Sequence, residues 1–219
     1  MRRSSFVTWI LELILPTRCI VCSTPRTMLC ARCIVRLSPP EEAPDGCIVL
    51  WSFRDARVRN VIHALKYRGI SSLAEICGRS LAERLTEEIA EHQMFRRFTD
   101  PLIVAVPLAP KRLRERGFNQ AALIARGIAT ASLPPMATAA SVLERIKDTP
   151  PQARIKDKRD RIKNISGAFL VPRNKTSRVS GRDIILVDDV TTTGATLREA
   201  AKALKQAGAR EVLLCAVAH

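Results

Sequence analysis

The pattern of apolar and polar residues along the chain predicts short buried strands that alternate with amphipathic helices. Nearly uninterrupted apolar runs predict strands at 47–53, 102–107, 183–189 and 211–218. The run "DIILVDD" at 183–189 is the strongest of these, and weaker strands are predicted near 138–143 and at 167–171. This alternation predicts an α/β fold, in which a mainly parallel sheet is flanked by helices on both faces.

Apolar residues spaced three and four positions apart predict the helices between these strands. The helices are predicted at 55–69, 71–92, 118–131 and 194–209. Gly69 is expected to end the first helix, and Ser71 is expected to begin the second. The segment "LAPKRLRERG", residues 108–117, is expected to form a basic turn before the third helix.

Residues 1–40 form a separate compositional unit, followed by a proline-rich acidic linker, "SPPEEAPDG", that marks a boundary near residue 40. Five apolar residues near the start share one helical face and predict an amphipathic helix: Phe6, Trp9, Ile10, Leu13 and Ile14. The start resembles a signal peptide, but Glu12 interrupts the apolar run and no small-residue cleavage site follows. Because the run is also too short to span a bilayer, we expect a cytoplasmic protein without stable membrane insertion. Contact of the helix with a membrane surface is the alternative.

Two C-x-x-C pairs predict a metal site in the same N-terminal unit. Cys19 and Cys22 form the first pair, and Cys30 and Cys33 form the second. Four thiolates from two such pairs complete a tetrahedral zinc site, whose metal would supply the fold of a segment too small for its own core. Reducible disulfides or idle thiols are the alternatives, although an odd total of seven cysteines fits a reducing compartment better. The other three lie in apolar runs and are expected in the core: Cys47, Cys77 and Cys215.

The charge of the chain favours polyanionic partners. Its 36 basic and 21 acidic residues leave a formal net charge of +15, which suits nucleic acid or phosphate-rich ligands. A merely basic surface is the alternative. Residues 152–182 hold ten Lys or Arg and two Asp, and we expect a flexible basic hood over the sheet edge at about residues 147–182. A solvated charged loop is the competing interpretation of this hood.

The segment "IILVDDVTTTGAT", residues 184–196, combines two carboxylates with a loop of hydroxyls and a glycine. Ligands of open α/β sheets bind at the carboxyl ends of strands, where Asp188 and Asp189 are predicted to lie. The following loop begins a helix, and its backbone N–H groups can bind a phosphate without any lysine. The carboxylates accept hydrogen bonds and suit a vicinal diol or a magnesium-bound sugar. A ribose 5-phosphate satisfies both halves of the segment.

The predicted phosphate-binding residues are Val190, Thr191, Thr192, Thr193, Gly194, Ala195 and Thr196. This loop is not a Walker loop, because the "GK[ST]" ending is missing, and no G-x-G-x-x-G motif follows a predicted strand. The structural alternative is a strand-to-helix turn in which Asp and Thr act only as helix caps.

The segment 184–196 resembles the phosphoribosyl diphosphate (PRPP) binding signature of type I phosphoribosyltransferases. The order of further motifs resembles one branch, the ComF competence-protein family: "CIVC…CARC", "HALKYRG", "VPLAPKRLRERGFNQA", "PPQAR…RIKNISGAF" and "AGAREVLLCAVAH". The resemblance covers nearly the whole chain. It implies a four-cysteine zinc module with the amphipathic helix at 1–40, and a phosphoribosyltransferase-like domain with its basic hood at 41–219.

The resemblance also implies roles for individual residues. Asp188 and Asp189 would be the catalytic acids that contact the ribose hydroxyls of Mg²⁺-bound PRPP, while the loop after them would hold the 5-phosphate. The pyrophosphate side of the site would comprise Pro107, Leu108, Lys111, Arg112 and Arg116. Lys66 would either reach this site or extend along a helix surface.

Three functions remain open at this stage. The chain is either an active phosphoribosyltransferase that releases pyrophosphate to an unknown nitrogen nucleophile, or a non-catalytic PRPP sensor, or a nucleic-acid module. Resemblance to ComF proteins implies the last role, in natural transformation, with single-stranded DNA and a helicase as partners. The aromatic content of 4% favours sequence-independent contact with the DNA backbone over base stacking.

Overall fold

A computed structural model describes residues 17–68, 70–91, 101–139, 141–148 and 164–219 of the 219-residue chain. Four predicted features lie outside these residues: the N-terminal amphipathic helix, the helix end at Gly69, the last residue of the predicted helix 71–92 (His92), and the middle of the basic hood.

The described residues form seven strands and six α-helices. The strands are β1 (Cys47–Trp51), β2 (Leu102–Ala105), β3 (Ala137–Thr138), β4 (Glu144–Arg145), β5 (Phe169–Leu170), β6 (Ile184–Val190) and β7 (Val212–Ala218). The helices are α1 (Ala31–Ile34), α2 (Ala56–Tyr67), α3 (Ser71–Glu91), α4 (Pro110–Arg116), α5 (Gln120–Ala131) and α6 (Ala195–Gln206). A 3₁₀ helix covers Arg173–Arg178.

Five of the strands form one parallel sheet in the order β1-β7-β6-β2-β3. Its centre consists of the apolar runs that predicted the strongest strands, with Ile103 opposite Ile185 and Leu186 opposite Leu214. Strands covered on both faces need such continuous apolar sequence. The parallel α/β fold predicted from the sequence is therefore confirmed.

Of the two weaker strand predictions, one is wrong and the other is confirmed. In place of one strand near 138–143, the chain forms two short strands at the ends of that range, β3 and β4. Ser141 between them has φ +63°, which turns the chain away from the sheet. The second predicted strand, 167–171, forms β5, which pairs antiparallel with β4 in a separate two-stranded sheet.

The segment 108–117 is a helix, not the basic turn expected from the sequence. Pro110 occupies the first helical turn of α4, where its missing N–H costs nothing. Gly117 ends the helix in the left-handed conformation, φ +78°, and its N–H donates to the carbonyl of Leu113 at 2.8 Å. Proline and glycine at opposite ends of a segment are sequence signals of a short helix.

Hydrophobic clusters lie on both faces of the sheet. One cluster packs α2, α3 and α5 against the sheet, and the other packs α6 and the β4–β5 hairpin. Helices α3 and α5 meet closely at Gly78, where a Cβ atom would lie 2.6 Å from the carbonyl oxygen of Ile124. The three cysteines expected in the core are all buried.

The cysteine-rich segment packs against the domain. Leu29 and Leu37 are buried in the same cluster as Trp51 of β1. Asp55 joins the two parts, because its side chain accepts hydrogen bonds from the N–H and the hydroxyl of Ser38, both at 3.2 Å. The same carboxylate caps α2 by accepting from the N–H of Arg57 at 2.8 Å. Hydrogen bonding to the Arg57 guanidinium lowers the pKa of Asp55 below its usual range.

The connections of the sheet diverge between β2 and β6. From β2 the chain passes through α4 and α5 to β3 on one side, whereas from β6 it passes through α6 to β7 on the other side. The loops after the two neighbouring strands therefore separate and leave a crevice at their carboxyl ends, which is where open α/β sheets bind ligands. Among the described residues, no helix has the length and apolarity to cross a membrane.

Candidate functional site

The paired carboxylates lie at the carboxyl end of β6, and both line a cavity of about 210 Å³, named the cleft below. Asp189 is buried, with 5% of its surface exposed, whereas Asp188 is partly exposed. Each side chain accepts a backbone N–H: Asp188 from Asp189 at 2.8 Å, and Asp189 from Val190 at 2.9 Å. These bonds orient the remaining carboxylate oxygens.

The loop after β6 presents the beginning of α6 to the cleft. Gly194 precedes the helix with φ +73° and, as a glycine, has no side chain that could cap it. Oγ1 of Thr193 accepts from the N–H of Ala195 at a long 3.4 Å. Thr191 ties the loop to β7, because its N–H donates to the carbonyl of Ala218 at 2.9 Å. The N–H groups of the first turn beyond Ala195 and the positive end of the helix dipole therefore face the cleft side of the loop, where an anion would be favoured.

Six of the seven predicted phosphate-loop residues line the cleft: Val190, Thr191, Thr192, Gly194, Ala195 and Thr196. Thr193 is not among the lining residues, since its carbonyl accepts from the Arg198 guanidinium and its hydroxyl faces Ala195. On the opposite wall, four of the five predicted pyrophosphate-side residues line the cleft: Pro107, Leu108, Arg112 and Arg116. The fifth, Lys111, is exposed on α4 and is not among the lining residues.

Lys66 reaches the cleft from the last turn of α2. Its Nζ lies 3.2 Å from Oδ2 of Asp189, and 27% of the lysine side chain is exposed. The sequence left open whether Lys66 reaches the site or extends along a helix surface, and in the structure it reaches the site. The ion pair supplies positive charge beside a carboxylate that would otherwise be buried without a counter-ion.

Two arginines meet on the wall opposite the phosphate loop. Nη2 of Arg112 is buried and finds no hydrogen-bond partner among the described residues. Arg145 lines the same cleft from β4, with its guanidinium carbon 5.6 Å from the centre of the Phe169 ring. Burial and the neighbouring Arg112 charge lower the pKa of Arg145. An anion between these groups would satisfy the orphaned donor and relieve the repulsion.

Arg145 and Gln120 are site residues that the sequence did not reveal. Gln120 is 3% exposed, lines the cleft and accepts a hydrogen bond from the Arg116 guanidinium. A polar residue at the start of an apolar helix was a weak signal for it. Arg145 belongs to no motif, and it reaches the cleft only because β4 pairs with β5.

Burial and the negative charge of Asp189 raise the pKa of Asp188 well above its usual value. A raised carboxyl pKa means that the native state binds this proton more tightly than the unfolded state does. Stability from this group is therefore greatest at low pH and declines as the pH rises from the unfolded pKa towards the raised pKa.

The Asp188→Asn substitution is expected to stabilise the ligand-free protein at neutral pH, because asparagine removes a partly desolvated charge that repels Asp189 and keeps the acceptor for the Asp189 N–H. The gain in free energy of unfolding is about 1.4 kcal/mol for each pH unit between the unfolded pKa and the raised pKa, counted only up to the working pH. Urea denaturation at several pH values measures it. Glu41→Gln is the control, since Glu41 pairs with Arg54 on the surface and is expected to change stability by less than about 1 kcal/mol. A variant no more stable than wild type at neutral pH would contradict the expectation.

The four cysteines of the two C-x-x-C pairs form a compact cluster. Their sulfur atoms all lie within 4.8 Å of one another, and the Sγ atoms of Cys22 and Cys30 are 3.6 Å apart. Four sulfurs at about 2.3 Å from one ion are spaced by about 3.8 Å, so the cluster can hold a tetrahedral zinc ion. The N–H of Cys30 donates to Sγ of Cys19 at 3.5 Å. Within the metal-free cluster the Thr24 hydroxyl lowers the pKa of the Cys22 thiol to about 6, whereas burial raises the pKa of the Cys33 thiol to about 12.

Sequence comparison identifies the family to which these features belong. Residues 102–219 match the family described as "Phosphoribosyl transferase domain". The chain is also 32% identical over 201 residues to DNA utilization protein YhgH of Salmonella typhi, which covers 89% of this chain and 80% of that protein. The chain belongs to the ComF family of phosphoribosyltransferase-domain proteins.

Other ComF-family relatives match shorter parts of the chain. Competence protein F of Haemophilus influenzae is 34% identical over 118 residues, which cover 53% of this chain and 49% of that protein. Competence protein ComFC of Bacillus subtilis is 35% identical over 107 residues, or 49% of this chain and 39% of that protein. The chain thus matches about half the length of competence protein F. The family match at 102–219 includes the cleft residues after β2 and in β6 but not Lys66.

Proposed function

We propose that the cleft of this ComF-family protein binds Mg²⁺-bound PRPP or a related ribose phosphate. The observation that supports this most strongly is the combination, around one cavity, of a helix start preceded by glycine, two carboxylates and a buried guanidinium nitrogen without a described partner. The cavity of about 210 Å³ is smaller than the roughly 300–1,000 Å³ of typical drug-sized sites, so it suits a small ligand such as a sugar phosphate.

The 5-phosphate is assigned to the loop from Val190 to Thr196. Backbone N–H groups at the start of α6 would donate to its oxygens, and the helix dipole favours its charge. The hydroxyls of Thr191, Thr192 and Thr196 line the same wall and add donors. Gly194 supplies the positive φ that turns the chain into the helix at this point.

Asp188 and Asp189 are assigned to the ribose and the metal as the catalytic acids. Carboxylate oxygens suit both the diol of a pentose and Mg²⁺, which, when bound, neutralises negative charge on the diphosphate. Lys66 now pairs with Asp189 and lies beside the cations of the opposite wall. With Mg²⁺ held by Asp189, Lys66 would instead be free to donate to the diphosphate, because two cations on one carboxylate repel each other.

Arg112, Arg116 and Arg145 are assigned to the diphosphate, with Pro107 and Leu108 forming the loop beside it. In a phosphoribosyl transfer, the bond between C1 of the ribose and the diphosphate oxygen breaks, and a nitrogen nucleophile forms the new bond to C1. Negative charge then develops on the leaving diphosphate, where these guanidinium groups would stabilise it. This wall of cations favours an active transferase as the second candidate, beside a PRPP sensor that binds without turnover.

We further propose that the protein acts in competence, in the uptake or processing of single-stranded DNA in the cytoplasm, with a helicase as a possible partner class. Support comes from relatives named competence protein F and DNA utilization protein, and from the net charge of +15. In this proposal residues 1–40 form the zinc-holding module and residues 41–219 form the phosphoribosyltransferase domain. Of the basic hood expected at about 147–182, residues 164–182 pack on the domain through β5, the 3₁₀ helix and the second hydrophobic cluster, so this part is not the flexible loop that the sequence suggested.

Calorimetry of the wild-type protein tests the ligand assignment. Mg²⁺–PRPP is expected to bind more tightly than either ribose 5-phosphate or pyrophosphate alone, because only PRPP occupies the loop, the acids and the arginine wall together. Omission of Mg²⁺ is expected to weaken PRPP binding. Equal affinity for pyrophosphate and PRPP would contradict the proposal, since the phosphate loop and the acids would then contribute nothing. Pyrophosphate release with a panel of nitrogen bases separates the transferase from the sensor.

A further inference from the structure

An exposed aromatic ring stands beside the cleft, next to two of the cations that line it. Tyr67 is the only tyrosine of the chain and the last residue of α2, and 69% of its surface is exposed. Its neighbour in sequence, Lys66, and its neighbour in space, Arg116, both line the cleft. A single exposed aromatic residue is common on protein surfaces, so only the residues around the ring can indicate whether it belongs to a binding surface.

Two different helices hold the Tyr67 ring. His63 lies one turn earlier on α2, with its ring centre 4.6 Å from that of Tyr67. Arg116 comes from α4, and its guanidinium carbon lies 5.8 Å from the centre of the tyrosine ring. Gln120 in turn accepts a hydrogen bond from Arg116 and is buried. The ring is therefore oriented by its neighbours while most of its surface remains open to a partner.

Cations continue from the cleft past this ring. Residues 110–116 of α4 carry four basic residues and one acid, Glu115. Lys111 and Arg114 are exposed on this helix and do not line the cleft, and Arg68 is exposed directly after Tyr67. A ligand confined to the cleft would leave these cations unused, whereas a chain of phosphates would extend to them.

We propose that Tyr67, together with His63 and Arg116, forms a stacking platform for a base of single-stranded DNA whose phosphates lie along α4. The inference rests on the proposed function, because it adds a binding surface to the same cleft. Single-stranded DNA fits better than a duplex, since its bases expose their faces to aromatic side chains. The strand and the ribose phosphate would then meet at one rim, formed by Lys66 and Tyr67. The sequence favoured contact with the DNA backbone over base stacking, and this proposal adds base stacking at one position.

Fluorescence anisotropy with a labelled oligothymidylate, and with an abasic oligomer of the same length, tests the platform. Tyr67→Ala is expected to weaken oligothymidylate binding about tenfold, the usual scale for loss of one base–aromatic stack. Tyr67→Phe keeps the ring and is expected to bind as wild type does. Binding of the abasic oligomer is expected to be the same for all three proteins.

Salt titrations separate stacking from charge. Tyr67→Ala is expected to keep the wild-type dependence of affinity on salt, whereas Arg114→Gln is expected to reduce the slope by about 0.7, the value for one phosphate contact on a single strand. The inference is overturned if Tyr67→Ala binds oligothymidylate as wild type does, or if it loses both oligomers equally. It is also overturned if Tyr67→Ala weakens Mg²⁺–PRPP in calorimetry and not DNA, because the ring would then serve a small ligand.

The same measurements distinguish failure of this inference from failure of the proposed function. Wild-type protein that binds Mg²⁺–PRPP but no oligomer overturns the stacking platform and the proposed DNA role, and leaves the ligand assigned to the cleft in place. A Tyr67-dependent preference for oligothymidylate without any binding of Mg²⁺–PRPP supports the platform and removes the ligand assigned to the cleft.

Discussion

The Asp189→Asn variant is expected to bind Mg²⁺–PRPP about a hundredfold more weakly than wild type, because loss of a buried charge from a close pair costs about 2–5 kcal/mol. Asp189 is 5% exposed and already interacts with a cation, Lys66, at 3.2 Å. Asparagine keeps the size of the side chain and the acceptor for the Val190 N–H, so the loop after β6 should keep its shape. A loss of PRPP affinity would therefore result from the missing negative charge of Asp189, and calorimetry measures this loss.

Pyrophosphate provides a second readout for the same variant. Without a carboxylate at position 189, Lys66 is released towards the arginine wall, and the affinity for pyrophosphate alone is expected to stay equal or to rise. Glu199→Gln is the matched control, since Glu199 lies on α6 and its carboxylate accepts from the Gly167 N–H outside the cleft. Equal losses of PRPP affinity in the two variants would show that charge near α6, and not the assigned acid, controls binding.

Loss of the metal from the four-cysteine cluster is expected to destabilise the whole domain. Structural zinc sites contribute about 10–16 kcal/mol of apparent binding free energy, and their segments unfold without metal. Here the segment also buries Leu29 and Leu37 against the core near Trp51. If each leucine is worth about 1.5–3 kcal/mol, their exposure costs the domain about 3–6 kcal/mol.

Metal analysis and thermal denaturation measure this effect together. Wild-type protein is expected to contain one zinc ion per chain, and Cys19→Ser is expected to lose the zinc and to denature at a lower temperature. Chelation of wild-type protein should produce the same shift. Cys47→Ala is the control, because Cys47 is a buried thiol outside the cluster and the variant should keep its zinc. Full zinc content and unchanged denaturation of Cys19→Ser would exclude the cluster as a structural site.

The elements that could be predicted from the sequence are those whose signals are local. An apolar run such as residues 183–189 must be buried wherever it lies, and the spacing of apolar residues in 55–69 allows only one helical face. The segment 108–117 was predicted as a turn because of its many basic residues, although Pro110 and Gly117 are signals for the start and the end of helix α4. Short strands were also poorly predicted, since β3, β4 and β5 have two residues each and depend on their partners.

Part of the cleft was also present in the sequence. Asp188, Asp189 and the loop up to Thr196 are consecutive, so a strand end and a helix start are enough to place them together. The four cysteines were similarly recognisable, because each C-x-x-C pair directs two sulfurs towards one point.

The chain by itself thus determined the central strands, the acids with their phosphate loop and the cysteine cluster, because the signal for each lies within one short segment. Only the tertiary structure decided that Lys66, Gln120 and Arg145 line the same cleft as those acids, and that Tyr67 stands at the rim. Lys66 and Tyr67 come from α2, Gln120 comes from α5 and Arg145 comes from β4, so their distances depend on how the sheet orders its strands and packs its layers. That order follows from the burial of the whole core, which no short segment encodes.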